Sequence, residues 1–171
     1  PAVSNFLKQA TIETFDFDQI DVIPHFICQN HYQRLPDSPL RAELAPNGER
    51  LLVHVSNFRP VKRPNDCVEI LAKVREQGEK VRLVMVGDGP ERETLVEKIR
   101  KYQFRDHVRL LGGVDDITLH NLYELSTLFV HPTLFYGSSL VPREAMFHAR
   151  PLLGTMVVGI PATVFRGHTG Y

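Results

Sequence analysis

The feature that most constrains this chain is a fivefold alternation of short apolar runs with amphipathic stretches between residues 50 and 155. RLLVHVS (50–56), VRLVMVG (81–87), HVRLLG (107–112), TLFVHP (127–132) and RPLLGT (150–155) have the length and composition of strands. The run 81–87 is almost continuously apolar, the mark of a strand covered on both faces. Residues 64–78, 90–102, 115–126 and 139–149 read as helices. In the first of these, Val68, Leu71 and Val74 share one stripe and Gly78 stands where the helix closes. Pro90 is placed at the first helical position of 90–102, an Asp caps 115–126, and Pro142 is tolerated in a first turn. Strands separated by helices pair in parallel through right-handed crossovers. The fold class is therefore α/β, a Rossmann-like, doubly wound parallel sheet.

The flanks are less regular. SNFLKQATIETF (4–15) reads as a helix capped by Ser4, and QIDVIPHFI (19–27) as a short β-rich run that Pro24 ends. QNHYQRLPDSP is a polar connector, which places a domain boundary near 20–36. SPLRAELA makes a short helix with Ser38 as cap and Pro39 at its first position, and PATVF (161–165) starts another. The chain starts at Pro1 without Met and stops after RGHTGY, so both ends read as cuts in a longer protein.

Composition excludes several classes. Twenty basic residues balance twenty acidic ones, leaving no global field for nucleic acid or an anionic membrane. No apolar run approaches the ~18 residues of a membrane helix. Cys28 and Cys67 cannot form a disulfide framework and lack metal-ligand spacing, which fits a reducing cytoplasm. The eight histidines show no i,i+4 pair beside Glu or Cys, so no metal is expected.

In a doubly wound sheet, ligands bind beyond the carboxyl ends of the strands. Four junctions there carry information: SNFRPVKRP after residue 55, GDGPE (87–91), HPTLFYGSSLVPRE (131–144) and GTMVVGIP (154–161). Gly and Ser at such turns leave backbone N–H groups and helix N-termini facing outward, which favours an anion. Arg59, Lys62 and Arg63 crowd the first junction, where the helix dipole disfavours cations. A phosphate-bearing ligand accounts for all four junctions; solvated loop cations are the plainer alternative. GDGPER is not a dinucleotide fingerprint, because Arg92 holds the third Gly position and no acid follows suitably. A tight turn before a helix explains Asp88 and Pro90. His131, at a strand end, is either functional or a satisfied loop histidine.

In order and spacing, HVSNFRPVKR, VGDGPER, LLGGVDDI, EAM, GIP and HTGY resemble the C-terminal half of retaining GT-B glycosyltransferases of family 4. VSNFRPVKR, with ATIETF and IDVIPHFI, is most similar to the branch that moves N-acetylglucosamine from UDP to L-malate in bacillithiol biosynthesis. The resemblance implies that residues 21–171 are a nucleotide-sugar-binding domain, one half of a GT-B fold cut short at its C-terminus. Residues 1–20 are then a remnant helix and linker of the acceptor domain. It implies further that Lys62 meets the donor diphosphate and, with Arg59, stabilises its departure. Arg63 is a further candidate, and Asn57 stands where many relatives carry Arg. Gly87 and Gly89 fall near the base pocket, Ser139, Leu140 and Val141 line the donor, and Glu144 holds the ribose hydroxyls. Neither metal nor protein nucleophile is required by the family's chemistry.

The chain also departs from the family pattern. The first Glu of the E-x7-E motif falls on Tyr136, and the following Phe-Gly on Ser138-Ser139. The sugar-facing Gly-Gly reads Val158-Gly159, the usual acid after Ile-Pro is Ala162, and the small, Gly-containing end of the motif helix reads FHARP. A non-catalytic nucleotide-sugar-binding module or a degenerate copy is therefore the alternative to an active transferase.

Overall fold

The computed structural model describes residues 1–17, 19–27, 39–135, 140–157, 160 and 164–171. Its centre is a five-stranded sheet of β1 (Arg50–Val55), β2 (Val81–Val86), β3 (Val108–Gly112), β4 (Leu128–His131) and β5 (Leu152–Gly154). The strand order is β3-β2-β1-β4-β5 and every pairing is parallel. From β1 the chain steps outward to β2 and β3, then returns to lay β4 against the other side of β1. The direction of winding reverses there, so the β1/β4 boundary is the topological switch point.

The crossovers are α3 (Pro64–Glu76), α4 (Arg92–Lys101), α5 (Asp116–Leu125) and α6 (Leu140–Phe147). Cys67, Val68 and Leu71 of α3 and Leu95 and Ile99 of α4 pack on Leu52, Leu83, Met85 and Val108. Leu122 and Tyr123 of α5 and Ala145 of α6 pack on the opposite face, against Leu51, Val53, Val84 and Phe129. Each fully buried leucine contributes about 1.5–3 kcal/mol. All six residues of β2 are buried. Among them is Arg82, whose Nε donates to Glu49 Oε1 at 3.0 Å and whose guanidinium also donates to the Leu44 carbonyl at 3.3 Å. A buried charge in a central strand is tolerated because both partners lie at the amino end of the sheet.

The expected helices have local causes. Ser4 caps α1 (Asn5–Phe15) by accepting from the Leu7 amide, and Asp115 caps α5 by accepting from the Thr118 amide. Gly78 adopts φ +85 just beyond α3.

Three expectations are corrected. Residues 19–27 form no strand: the described backbone there makes one bridge, Ala2 with Val22, and Ile23 and Phe26 are exposed. A strand needs a partner along its length, and among the described residues this run pairs only at Ala2, through Asp21 O and the Ile23 amide. Pro39 sits at the N-cap of α2 (Leu40–Leu44) rather than inside it. Pro90 lies in the turn before α4, which begins two residues later. The expected Ser38 cap, the connector before it and the helix at 161–165 involve residues outside those described.

α1 stays close to the sheet through Phe6, whose ring meets that of Phe135 edge-on at 6.4 Å. Arg143 of α6 donates to the His25 carbonyl at 2.8 Å, which ties the 19–27 segment to the same region. Among the described residues no helix is long and apolar enough to cross a membrane.

Candidate active site at the sheet switch point

The loop that leaves β1 carries the cations. Phe58 is fully buried with φ +38, a conformation that costs a bulky side chain energy and persists only when its surroundings fix it. The chain then forms a single 3₁₀ turn, Pro60–Lys62, with the Lys62 amide donating to Arg59 O at 2.8 Å. Arg59 is exposed and Lys62 half-buried. Burial lowers the Lys62 ammonium below its usual pKa, as expected for a cation held partly out of water. Arg63 adopts φ +49, and its guanidinium pairs with Asp66 at 2.5 Å in the first turn of α3. Its charge is answered locally. Asn57 is exposed at the head of the loop.

The four junctions that are separate in sequence are joined in space. The Glu91 amide donates to Phe58 O at 2.9 Å, linking the turn after β2 to the loop after β1. Gly87 and Gly89 allow that approach: a Cβ on them would fall 1.8 Å from Ser56 O and 2.0 Å from Asn57 O. On the other side, Val61 O accepts from the Leu134 amide at 2.8 Å and lies 3.0 Å from Thr133 Oγ1. Thr133 O in turn accepts from the Thr155 hydroxyl, which reaches the junction after β5. That fourth junction is concave. Gly154, Thr155, Met156 and Ile160 line a cavity of about 380 Å³ together with Val164 and Tyr171.

Beneath the loop lies a buried histidine pair. His54 on β1 and His131 at the end of β4 stack with ring centroids 6.5 Å apart. Burial lowers both, to about 4 for His54 and about 3 for His131, and the Lys62 charge adds to the effect. Both rings are therefore neutral near pH 7.

Glu144 lies on α6, which follows β4. Its Oε2 accepts from the Tyr123 hydroxyl at 2.8 Å, so α5 orients the carboxylate. Burial pushes the Glu144 carboxyl up, with the Tyr123 bond opposing and the Asp116 charge assisting. Leu140 is exposed and Val141 half-buried in the first turn of α6. Ser139 and Tyr136 lie outside the described residues. His54, Tyr123 and Thr133 organise the region without having been singled out from the sequence. A polar side chain inside an apolar strand was the available signal for His54. No group of three or more His, Cys, Asp or Glu among the described residues could hold a metal ion.

The family described as glycosyl transferases group 1 matches residues 39–171. The chain belongs to this glycosyltransferase family. A relative from Bacillus anthracis, N-acetyl-alpha-D-glucosaminyl L-malate synthase, is 34% identical over 172 residues, covering 99% of this chain and 44% of its own length. This glycosyltransferase chain thus spans less than half of that relative. Among solved structures, Anabaena HepE in complex with UDP-glucose aligns with a TM-score of 0.87 at 23% identity, covering 99% of this chain and 48% of that one. S. aureus TarM aligns at 0.80 and 20% identity, covering 99% of this chain and 32% of that one. These likenesses establish the fold, the GT-B half that the group 1 glycosyltransferases share.

Proposed function

We propose that this chain is the donor-binding half of a retaining glycosyltransferase that moves N-acetylglucosamine from UDP to L-malate in the cytoplasm. The observation that carries this reading is that the turns after β2 and β4 both bond to the Lys62 loop at the switch point, and the junction after β5 joins them through Thr133. The donor assignment draws on the 34% identity to the malate synthase, and on the UDP-glucose held by HepE. In this reading Lys62 and Arg59 hold the diphosphate by charge-assisted hydrogen bonds. The bond from the sugar C1 to the diphosphate oxygen breaks while the malate hydroxyl oxygen attacks the same face. Its proton passes to the departing diphosphate. The protein supplies position and electrostatic stabilisation of the leaving group, with no metal or protein nucleophile required. Glu144, oriented by Tyr123, accepts hydrogen bonds from the ribose hydroxyls. Asn57, Gly87 and Gly89 border the nucleotide, as do Ser139, Leu140 and Val141, and the malate contacts belong to a separate acceptor domain.

Calorimetry with UDP and UDP-N-acetylglucosamine tests the reading. Saturable binding of both supports it, and no binding of either removes it. A second reading, a nucleotide-sugar-binding module without turnover, is favoured by Tyr136 where the family has Glu. Tyr cannot accept two sugar hydroxyls as a carboxylate can. In a chimera with a matching acceptor domain, this reading expects UDP binding with little release of UDP in the presence of L-malate, and recovery in Tyr136→Glu. Turnover equal to that of an intact relative without the substitution contradicts it.

A further inference from the structure

We propose that His54 and Ser56 are positioning residues for the diphosphate-facing loop, fixing its entry at Phe58 and thereby where Lys62 emerges. The inference rests on the reading of Lys62 as a diphosphate ligand.

The bonds have a single possible direction. His54 Nδ1 lies 2.9 Å from Val130 O, and a carbonyl only accepts, so Nδ1 carries the ring proton. The neutral ring then has a bare Nε2, which accepts the Ser56 hydroxyl proton at 2.8 Å. The Ser56 oxygen keeps lone pairs for the Phe58 amide, which donates to it at 3.3 Å. The result is a directed chain: Phe58 N–H to Ser56 Oγ–H to His54 Nε2, with Nδ1–H to Val130 O. It runs from the loop, through two β1 side chains, to the backbone of β4 across the switch point.

Phe58 needs such support. Its φ of +38 is unusual for an aromatic residue, and it is held from three sides. Ser56 accepts from its amide, Glu91 donates to its carbonyl, and its ring stacks on His54 at 6.2 Å and 18°. Four residues later the chain reaches Lys62, pinned at Val61 O by Leu134. Without the Ser56 bond the Phe58 amide loses its acceptor, and the entry of the loop rests on the Glu91 bond and the buried ring, with Val61 held on the far side. The ring does not titrate near neutral pH, since burial holds it at about 4, so the chain keeps its direction under working conditions.

The test compares Ser56→Ala, Ser56→Thr and His54→Asn in the 171-residue chain. Ser56→Ala removes the central hydroxyl, Ser56→Thr retains it, and His54→Asn keeps a donor for Val130 but cannot reach Ser56. Amide exchange at Phe58 without ligand is expected to quicken about 10-fold in Ser56→Ala and His54→Asn and to stay parental in Ser56→Thr. The ratio of UDP to uridine affinity should fall about 10-fold in the same two variants, with unchanged circular dichroism. Either readout remaining parental in both variants overturns the proposal. Faster exchange with an unchanged ratio would mean that the chain of bonds serves folding alone. If the parent itself binds UDP no better than uridine, the diphosphate reading falls, and this proposal falls with it as a statement about function. Phe58 exchange then reports only whether the loop is held.

Discussion

A Cβ on Gly87 would lie 1.8 Å from the carbonyl oxygen of Ser56, and Gly87 itself adopts φ +116. The turn after β2 and the loop after β1 are therefore in backbone contact, and the turn positions the loop before it can border any ligand. Gly87→Ala must move one or the other. Strain and overpacking together predict a loss of at least about 2 kcal/mol. Urea unfolding measures it, and a loss below about 0.5 kcal/mol would show that the close approach is not needed.

The end of α6 carries the opposite lesson. The Arg150 amide donates to Ala145 O and the Ala149 amide to Met146 O, both at 2.9 Å, which is a Schellman closure. The residue that must be left-handed is Ala149, at φ +53. Glycine would remove a steric cost of about 1–2 kcal/mol and add back about 0.4–1 through the unfolded chain. Ala149→Gly is expected to stabilise by about 0.5–1 kcal/mol, raising the melting temperature by about 1–4 °C. A lowered melting temperature contradicts this account of the helix end.

Glu49 sets an acid limit on stability. Burial pushes its carboxyl up, but hydrogen bonds from its own amide and from Asn47, with the Arg82 charge, outweigh that and bring it to about 2. A carboxyl depressed in the folded state contributes stability that is complete above its unfolded pKa and is lost as pH falls through the folded one. Here the window runs from about 4.5 down to about 2. Urea midpoints should fall across that range in the parent and fall less steeply in Glu49→Gln. Parallel slopes would assign the acid sensitivity elsewhere.

Much of this architecture is legible in the sequence because strand and helix periods alternate so plainly between Arg50 and Gly154. The failures are local. Ile23 and Phe26 have strand composition, but among the described residues the pairing stops at the Ala2–Val22 bridge, with the Ile23 amide donating to Ala2 O, and both side chains stay exposed. Pro90 looks like a helix start, yet Gly89 must pass close to Asn57 first, which delays α4 to Arg92. At the site, cations on one loop are visible as text, whereas their partners are not. Asp66 neutralising Arg63 follows from helical spacing, but Thr133 beneath Val61 requires knowing that β4 returns beside β1. Tyr123 reads as an ordinary core position of α5 until α6 brings Glu144 to its hydroxyl.

In the proposed reading Glu144 accepts two ribose hydroxyls, for which its carboxyl must be ionised. Its raised carboxyl loses that form as pH falls, sooner than an ordinary glutamate does. Binding of UDP should thus weaken on acidification, and this dependence should vanish in Glu144→Ala. That variant is expected to lose about 1.5–3 kcal/mol for UDP and much less for a dideoxyribose analogue. Equal losses for both ligands would remove Glu144 from the ribose contact, and Tyr123→Phe should weaken UDP binding in the same sense.

The central claim is that the loop after β1 meets a diphosphate through Lys62. Isothermal titration of UDP and of uridine into the parent and Lys62→Ala addresses it directly. The account predicts a loss of about 1.5–3 kcal/mol for UDP, with uridine affinity nearly unchanged. An equal loss for the two ligands, or none for UDP, would contradict it.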